Sequence, residues 1–251
     1  MIVEQDAHHR LIQNSTICLD LSAVPAFGLF NPNDWHGPSR GVVLSCSTEY
    51  SVLHYGIGRI KKLCQTPMDY CRVHFETFQE QWKRAGWDLS KGAYFAQVPE
   101  LHALIEAFFA GTKALLDLVV QLLTTEAVVA VNLDGFHRAG FVYGGGVLNA
   151  LSRNARASRG NTAKAIARLI LRHKATWIDD VINARDFLVY PKNGSHQLMF
   201  QLRLATRDGD LVVEETVPPH VGSIRIDDYV TKQMGNIEAF AQDFMKQLLN
   251  K

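Results

Sequence analysis

Arg185 and Asp186 stand side by side near the end of a long apolar-periodic segment, with Tyr190 four residues beyond Asp186 and His196 further on, past Pro191 and Gly194. These residue types can hold an anion and move protons. A guanidinium presents a planar fork of donors that grips a phosphate bidentately. A carboxylate orients its neighbours, and an imidazole titrates near neutrality and can carry protons. A tyrosine, ionising near about pH 10, is a poor base at neutral pH. On a helical wheel of about 100° per residue, Ile166, Ile170, Trp177, Ile178, Val181, Leu188 and Val189 span one arc. Arg185 falls inside that arc, about 40–60° from its centre, while Arg168, Arg172, Asp179, Asn183 and Asp186 fall outside it. His173 borders the arc. A cation on the core side of a helix needs an anion or a wet pocket. The plainer alternative for the pair is an Arg that complements the dipole at a helix C-terminus beside a solvated Asp186.

A second constellation is electrostatic. Arg153, Arg156 and Arg159 recur every third residue, and Lys164, Arg168 and Arg172 every fourth, with His173 and Lys174 beside the last. Residues 135–178 hold eight Lys and Arg, Arg138 included, and no Asp or Glu, so with a net charge of +1 for the chain the remainder is net −7. Such a segment can track a phosphate backbone, or meet an acidic surface of the same chain or of a second copy. Other motifs are lacking. Gly144-Gly145-Gly146 has neither of the phosphate-loop spacings and reads as a loop or a close helix contact. No histidine stands in a zinc spacing, so neither a metal nor a cofactor is expected. Cys18, Cys46, Cys64 and Cys71 include no C-x-x-C pair and read as core thiols of a reducing compartment.

The elements that must position these residues follow from periodicity. The 251 residues, 47% of them hydrophobic, can bury a sizeable core and exclude a disordered tail protein. Ile17–Leu21 suits a short strand, and Pro25, Gly28, Asn31-Pro32-Asn33, Gly37 and Pro38 punctuate a long loop. A helix is expected from Ser45 or Ser47, with Pro67 stopping it and opening the next, which Gly86 ends. Pro99 opens the clearest helix, interrupted only by Gly111, and Asp134-Gly135 makes a turn. Val147–Arg156 forms a short helix, and Asn161 or Thr162 caps a long one over Ala163–Val189, which Pro191 closes. Alternation over Leu198–Ala205 and Leu211–Val217 around Asp208-Gly209 predicts a β-hairpin, and Asp227 or Asp228 caps a final helix. The fold class is mainly α, a helical bundle with a small C-terminal β-hairpin. Residues 1–96 read as an irregular and helical region packed on a bundle of residues 97–251, with a weak boundary near Ser90–Val98. The apolar stretch Ala114–Val131 is broken by Asp117, Gln121, Thr124, Thr125 and Glu126, so no membrane span is expected, and Met1–Asp6 carries no secretory pattern. The expected location is the cytoplasm.

The run Trp177–Tyr190 resembles the end of the motif-bearing helix in the HEPN superfamily, helical-bundle ribonucleases and nucleotide-binding modules whose pattern is an Arg, a polar residue, a short gap and a His. Arg185 and Asp186 match the first two positions, and Tyr190 stands where the His is expected. The resemblance implies a homodimer with two motifs facing one cleft, Arg185 holding phosphate, Asp186 orienting its neighbours, and His196 as the nearest imidazole that a folded-back loop would supply. The function expected is therefore binding of RNA or a nucleotide, with a degenerate endoribonuclease centre at Arg185, Asp186, Tyr190 and His196. The nucleic-acid surface would be Arg153, Arg156, Arg159, Lys164, Arg168, Arg172, His173 and Lys174. A non-catalytic dimeric interaction protein is the alternative, and a small-molecule enzyme has no motif behind it.

Overall fold

The apolar stripes read from the sequence become helix faces that meet in a common core. A computed structural model of the chain describes residues 29–65, 68–86, 94–137, 139, 142–156, 159–189, 198–208 and 210–249. The expected strand Ile17–Leu21, Cys18, Pro25, Gly28, Pro67, Tyr190, Pro191 and His196 lie outside the described residues.

Helix α1 spans Gly37–Gln65 and begins well before Ser45 or Ser47. The pair Gly37-Pro38, expected to belong to a loop, is its start. Gly37 takes a φ of 55°, and a proline in the first turn has its φ preset and lacks only an N–H that would go unpaired there. Just upstream, Pro32–Asp34 forms a single 3₁₀ turn with Asn31 Oδ1 accepting the Asn33 N–H at 3.1 Å. Helix α2 spans Met68–Arg84, and α3 spans Pro99–Thr125. The expected interruption at Gly111 is where α1 presses on α3: a Cβ on Gly111 would lie 2.9 Å from Leu53 Cδ2.

Helix α4 spans Gly145–Arg153 and α5 spans Gly160–His173. A π turn over Lys174–Ile178 joins α5 to α6, Asp179–Val189, with right-handed helical dihedrals at His173, Lys174 and Asp179. The single long helix expected over Ala163–Val189 is therefore present, with two corrections. It starts at Gly160 and its flanking residue is Arg159, which caps it with no side-chain bond. A Cβ on Gly160 would fall 2.3 Å from the Ala155 carbonyl oxygen. The π turn also adds a residue to one turn, which rotates everything after it by about 100° relative to a regular helix. The terminal helix α7 spans Ile226–Leu249. Across the π turn the helix changes neighbours: α5 packs on α4 and α7, and α6 packs on α3.

The hairpin expected around Asp208 is formed by β2, Met199–Arg207, and β3, Asp210–Val217, with Asp208 at a φ of 54°. A third strand, β1, Tyr94–Gln97, pairs antiparallel with β2 in the order β1-β2-β3, Tyr94 opposite Leu202. It occupies the stretch expected to hold a weak boundary. Helix α2 lies against β1 and β3. A second small hairpin, β4, His220–Val221, and β5, Ile224–Arg225, leads into α7, where Arg225 Nε and Nη2 donate to the Asp227 carboxylate at 3.1 and 2.9 Å. One apolar cluster takes residues from α1, α3, α5, the π turn, α6, α7 and β2, among them Tyr50, Phe109, Ile170, Trp177, Val181, Phe240 and Phe200. The molecule is mainly α with a small antiparallel sheet. No helix among the described residues is long and apolar enough to cross a membrane.

Candidate functional site

Arg185 sits on the side of α6 that faces α3. With Val181, Ile182, Phe109, Thr112, Lys113 and Leu116 it lines a shallow depression. Its side chain is 23% exposed, and the anion it grips is the adjacent carboxylate. Arg185 Nε and Nη2 both donate to Asp186 Oδ1, at 3.1 and 2.7 Å. The other oxygen, Asp186 Oδ2, accepts the Tyr143 hydroxyl at 2.6 Å. Two of the expected catalytic residues, Arg185 and Asp186, are thus together, while Tyr190 and His196 lie outside the described residues.

Tyr143 was not among the residues expected from the sequence, and the glycine triplet beside it explains how it arrives. Gly144 takes a φ of 68°, and a Cβ there would stand 2.2 Å from Phe136 Cζ. A Cβ on Gly145 would stand 2.8 Å from the Ala139 Cβ, whereas one on Gly146 would meet nothing within 4 Å. The triplet is therefore a close backbone contact, and it turns the chain so that Tyr143 reaches α6. Phe136 is held in its turn by α3. Asp117 Oδ1 accepts the Phe136 N–H at 2.6 Å, Gln121 Nε2 donates to the Asp134 carbonyl at 3.2 Å, and Thr124 Oγ1 accepts the Leu133 N–H at 3.0 Å. The polar residues that break the apolar stretch of α3 are the ones that stitch this loop down. Lys113 pairs with Asp117, its Nζ 2.6 Å from Oδ2. The two cations on the depression, Lys113 and Arg185, are each neutralised by a carboxylate of the chain, so a phosphate arriving there would have to displace Asp186.

The basic constellation divides in two. Arg153 and Arg156, at and after the end of α4, and Lys164, Arg168 and Arg172, along α5, are exposed and have no ion pair among the described residues. The last three repeat every fourth residue, about 6 Å of helical rise apart. The remaining residues are committed to the fold. Arg159 Nη1 donates to the Glu126 carbonyl at 2.7 Å, and its Nη2 to the Leu248 carbonyl at 2.8 Å. Lys174 Nζ donates to both oxygens of Asp179, at 2.5 and 2.8 Å. His173 is buried, and its Nδ1 accepts the Trp177 indole N–H at 2.9 Å. Burial lowers the pKa of His173, and so does Arg172, against a weaker opposite pull from Asp243. No hydrogen bond or ion pair among the described residues joins the exposed stripe to Arg185.

Among the described residues no group of three His, Cys, Asp or Glu could hold a metal. Cys46, Cys64 and Cys71 are free and buried. Burial pushes the Cys46 and Cys64 thiols up to about 12 and the Cys71 thiol up to about 11. Comparison with protein-family models, with curated proteins and with solved structures found no match.

Proposed function

We propose that this chain is a HEPN-like protein of the cytoplasm that binds RNA or a nucleotide through the α4–α5 surface and retains only a degenerate nuclease centre. The observation that carries the reading is the set of five exposed cations, Arg153, Arg156, Lys164, Arg168 and Arg172, with no acidic partner among the described residues. Like charges this close repel one another unless a polyanion covers them. The Arg185 site supports the degenerate part. Its guanidinium is already engaged by Asp186, and the hydroxyl beside it, that of Tyr143, donates its proton to the other oxygen of the same carboxylate.

The test is fluorescence anisotropy of a labelled RNA over a salt series. Each neutralised phosphate steepens the salt dependence, so five contacts to a single strand cost about a hundredfold in affinity between about 50 and 200 mM salt. Arg168→Glu with Arg172→Glu should weaken binding further and flatten that slope. Binding that ignores salt, or that survives the double variant, sinks the proposal. Incubated RNA should remain intact with wild type and with Arg185→Ala alike. Cleavage by wild type that the variant loses would show a working centre instead.

A second reading, a dimeric interaction protein, is favoured by α1, which leaves Leu44, Val52 and Tyr55 about half exposed or more along one face. It predicts a dimer that persists in high salt, dissociates in Val52→Glu with Tyr55→Glu, and retains no RNA.

A further inference from the structure

His173 ends α5, and its ring closes the joint between α5 and α6. Because Nδ1 accepts the Trp177 indole N–H, the neutral ring carries its proton on Nε2, which lies 4.0 Å from Asp243 Oδ2 on α7. Phe240 of α7 meets both rings edge-on, with centroids 5.2 Å from His173 and 6.2 Å from Trp177. Between His173 and Asp179 runs the π turn, Lys174–Ile178. Its wider loop is bridged by the Lys174–Asp179 ion pair, whose spacing of five residues matches a π repeat. Two side-chain bridges therefore fasten the turn. One is the ion pair of Lys174 with Asp179, and the other requires a neutral imidazole.

We propose that His173 is an acid-sensitive latch on the π turn. A proton taken up from solvent at Nδ1 converts that nitrogen from acceptor to donor, sets it against the Trp177 N–H, and loosens the joint between α5, which bears the basic stripe, and α6, which bears Arg185.

Among the described residues, the charges that act on the ring are few. Arg172 on α5 opposes the proton, Asp243 on α7 favours it across 4.0 Å, and Lys174 is engaged by Asp179. Helix α3 turns Thr112, Leu115, Leu116 and Val119 toward Trp177, none of which titrates. Burial and Arg172 together outweigh Asp243, so the folded protein holds the ring neutral to a lower pH than the unfolded chain does. The sign follows. The latch contributes its full stability above about pH 6.5, where the unfolded imidazole is also neutral, and that contribution is lost as the pH falls through the lower folded-state value.

Nuclear magnetic resonance of ¹⁵N-labelled full-length protein between about pH 8 and 5 tests this. At the upper limit Nδ1 of His173 should be unprotonated and Nε2 protonated. Below about pH 6.5 the Trp177 indole signal should move together with the His173 ring. Protection of the amides of residues 174–178, taken relative to their intrinsic exchange rate at each pH, should fall about tenfold, the effect of losing one buried hydrogen bond. His173→Asn keeps an acceptor oxygen and removes the titration, so it should abolish the pH dependence, and Asp243→Asn should move the midpoint to lower pH. The proposal is overturned if Nδ1 is protonated at the upper limit, if His173 takes up no proton before the lower limit, or if Trp177 and residues 174–178 stay unchanged while His173 titrates. Both readouts come from the wild-type protein and decide the matter even if His173→Asn does not fold.

Discussion

Arg159 belongs by type and spacing to the same run of cations as Arg153 and Arg156, yet its guanidinium ends on two main-chain carbonyls. One is that of Glu126, the residue capping α3, and the other that of Leu248 in the last turn of α7. Carbonyls at a helix C-terminus lack an intrahelical partner, and a fork of fixed donors can serve two such ends at once. Arg159→Ala should therefore cost stability, about 2 kcal/mol, measured by urea unfolding, and Arg159→Lys should recover only part of it. Arg168→Ala should leave the unfolding midpoint in place and weaken RNA binding. Equal stability in Arg159→Ala and wild type would return Arg159 to the nucleic-acid surface. Thiols illustrate the same scale. The thiolate is the reactive species, and burial holds Cys46 and Cys64 up to about 12 and Cys71 up to about 11. In a Cys18→Ser background, a thiol-reactive dye should label none of these three in the folded protein and all three in denaturant. Rapid labelling of the folded variant would contradict the burial.

Three consecutive glycines between a loop and α4 differ in what the fold asks of them. Gly144 combines a left-handed φ with an approach to the Phe136 ring that leaves no room for a methyl group. Gly144→Ala should destabilise by about 3 kcal/mol, since strain and overpacking act together. Gly146→Ala, with open space around it inside α4, should be neutral or raise stability by about 0.5–1 kcal/mol through helix propensity. Thermal melts of the two variants measure the contrast, and similar losses in both would mean that the triplet is not the contact described. The same triplet marks the limit of what the sequence makes legible. Elements carried by local signals were readable: α3 from Pro99 and its three-and-four spacing, the β2–β3 hairpin from Asp208-Gly209, and α7 from its apolar stripe. Features decided by distant partners were not. β1 is four residues long and is a strand only because β2 lies beside it. The π turn lies where Trp177 and His173 pack against Phe240, a residue of α7 that no local signal in this helix points to. In the candidate site, Arg185 could be picked out because a cation fell on an apolar arc. Tyr143 could not, since a hydroxyl forty-three residues away in sequence carries no local sign of the carboxylate it will meet.

At the scale of the whole molecule, the division expected near residue 97 meets a core that runs across it. Helix α1 buries Val43, Cys46, Tyr50, Leu53, Ile57 and Ile60. It packs on α3 and α7, and the Tyr50 hydroxyl donates to Glu238 of α7 at 2.6 Å. Ser39 Oγ reaches Glu126 Oε1 at 2.6 Å, and β1 covers one edge of β2. Removing residues 1–96 would strip the apolar side of α3 that faces α1, including the close approach at Gly111, and bare the β2 edge. Each large apolar side chain returned to water costs about 1.5–3 kcal/mol, so losing even four of the α1 contacts approaches the 5–15 kcal/mol that holds a typical domain together. A fragment of residues 97–251 should therefore show no cooperative thermal transition and should bind a hydrophobic dye, whereas the full chain melts in one step. Adding residues 1–96 as a separate polypeptide should restore a cooperative transition, because α1 supplies surface and not only connectivity. A fragment of residues 97–251 that melts cooperatively by itself would show that the bundle closes without α1, and that residues 1–96 only pack on a bundle already complete.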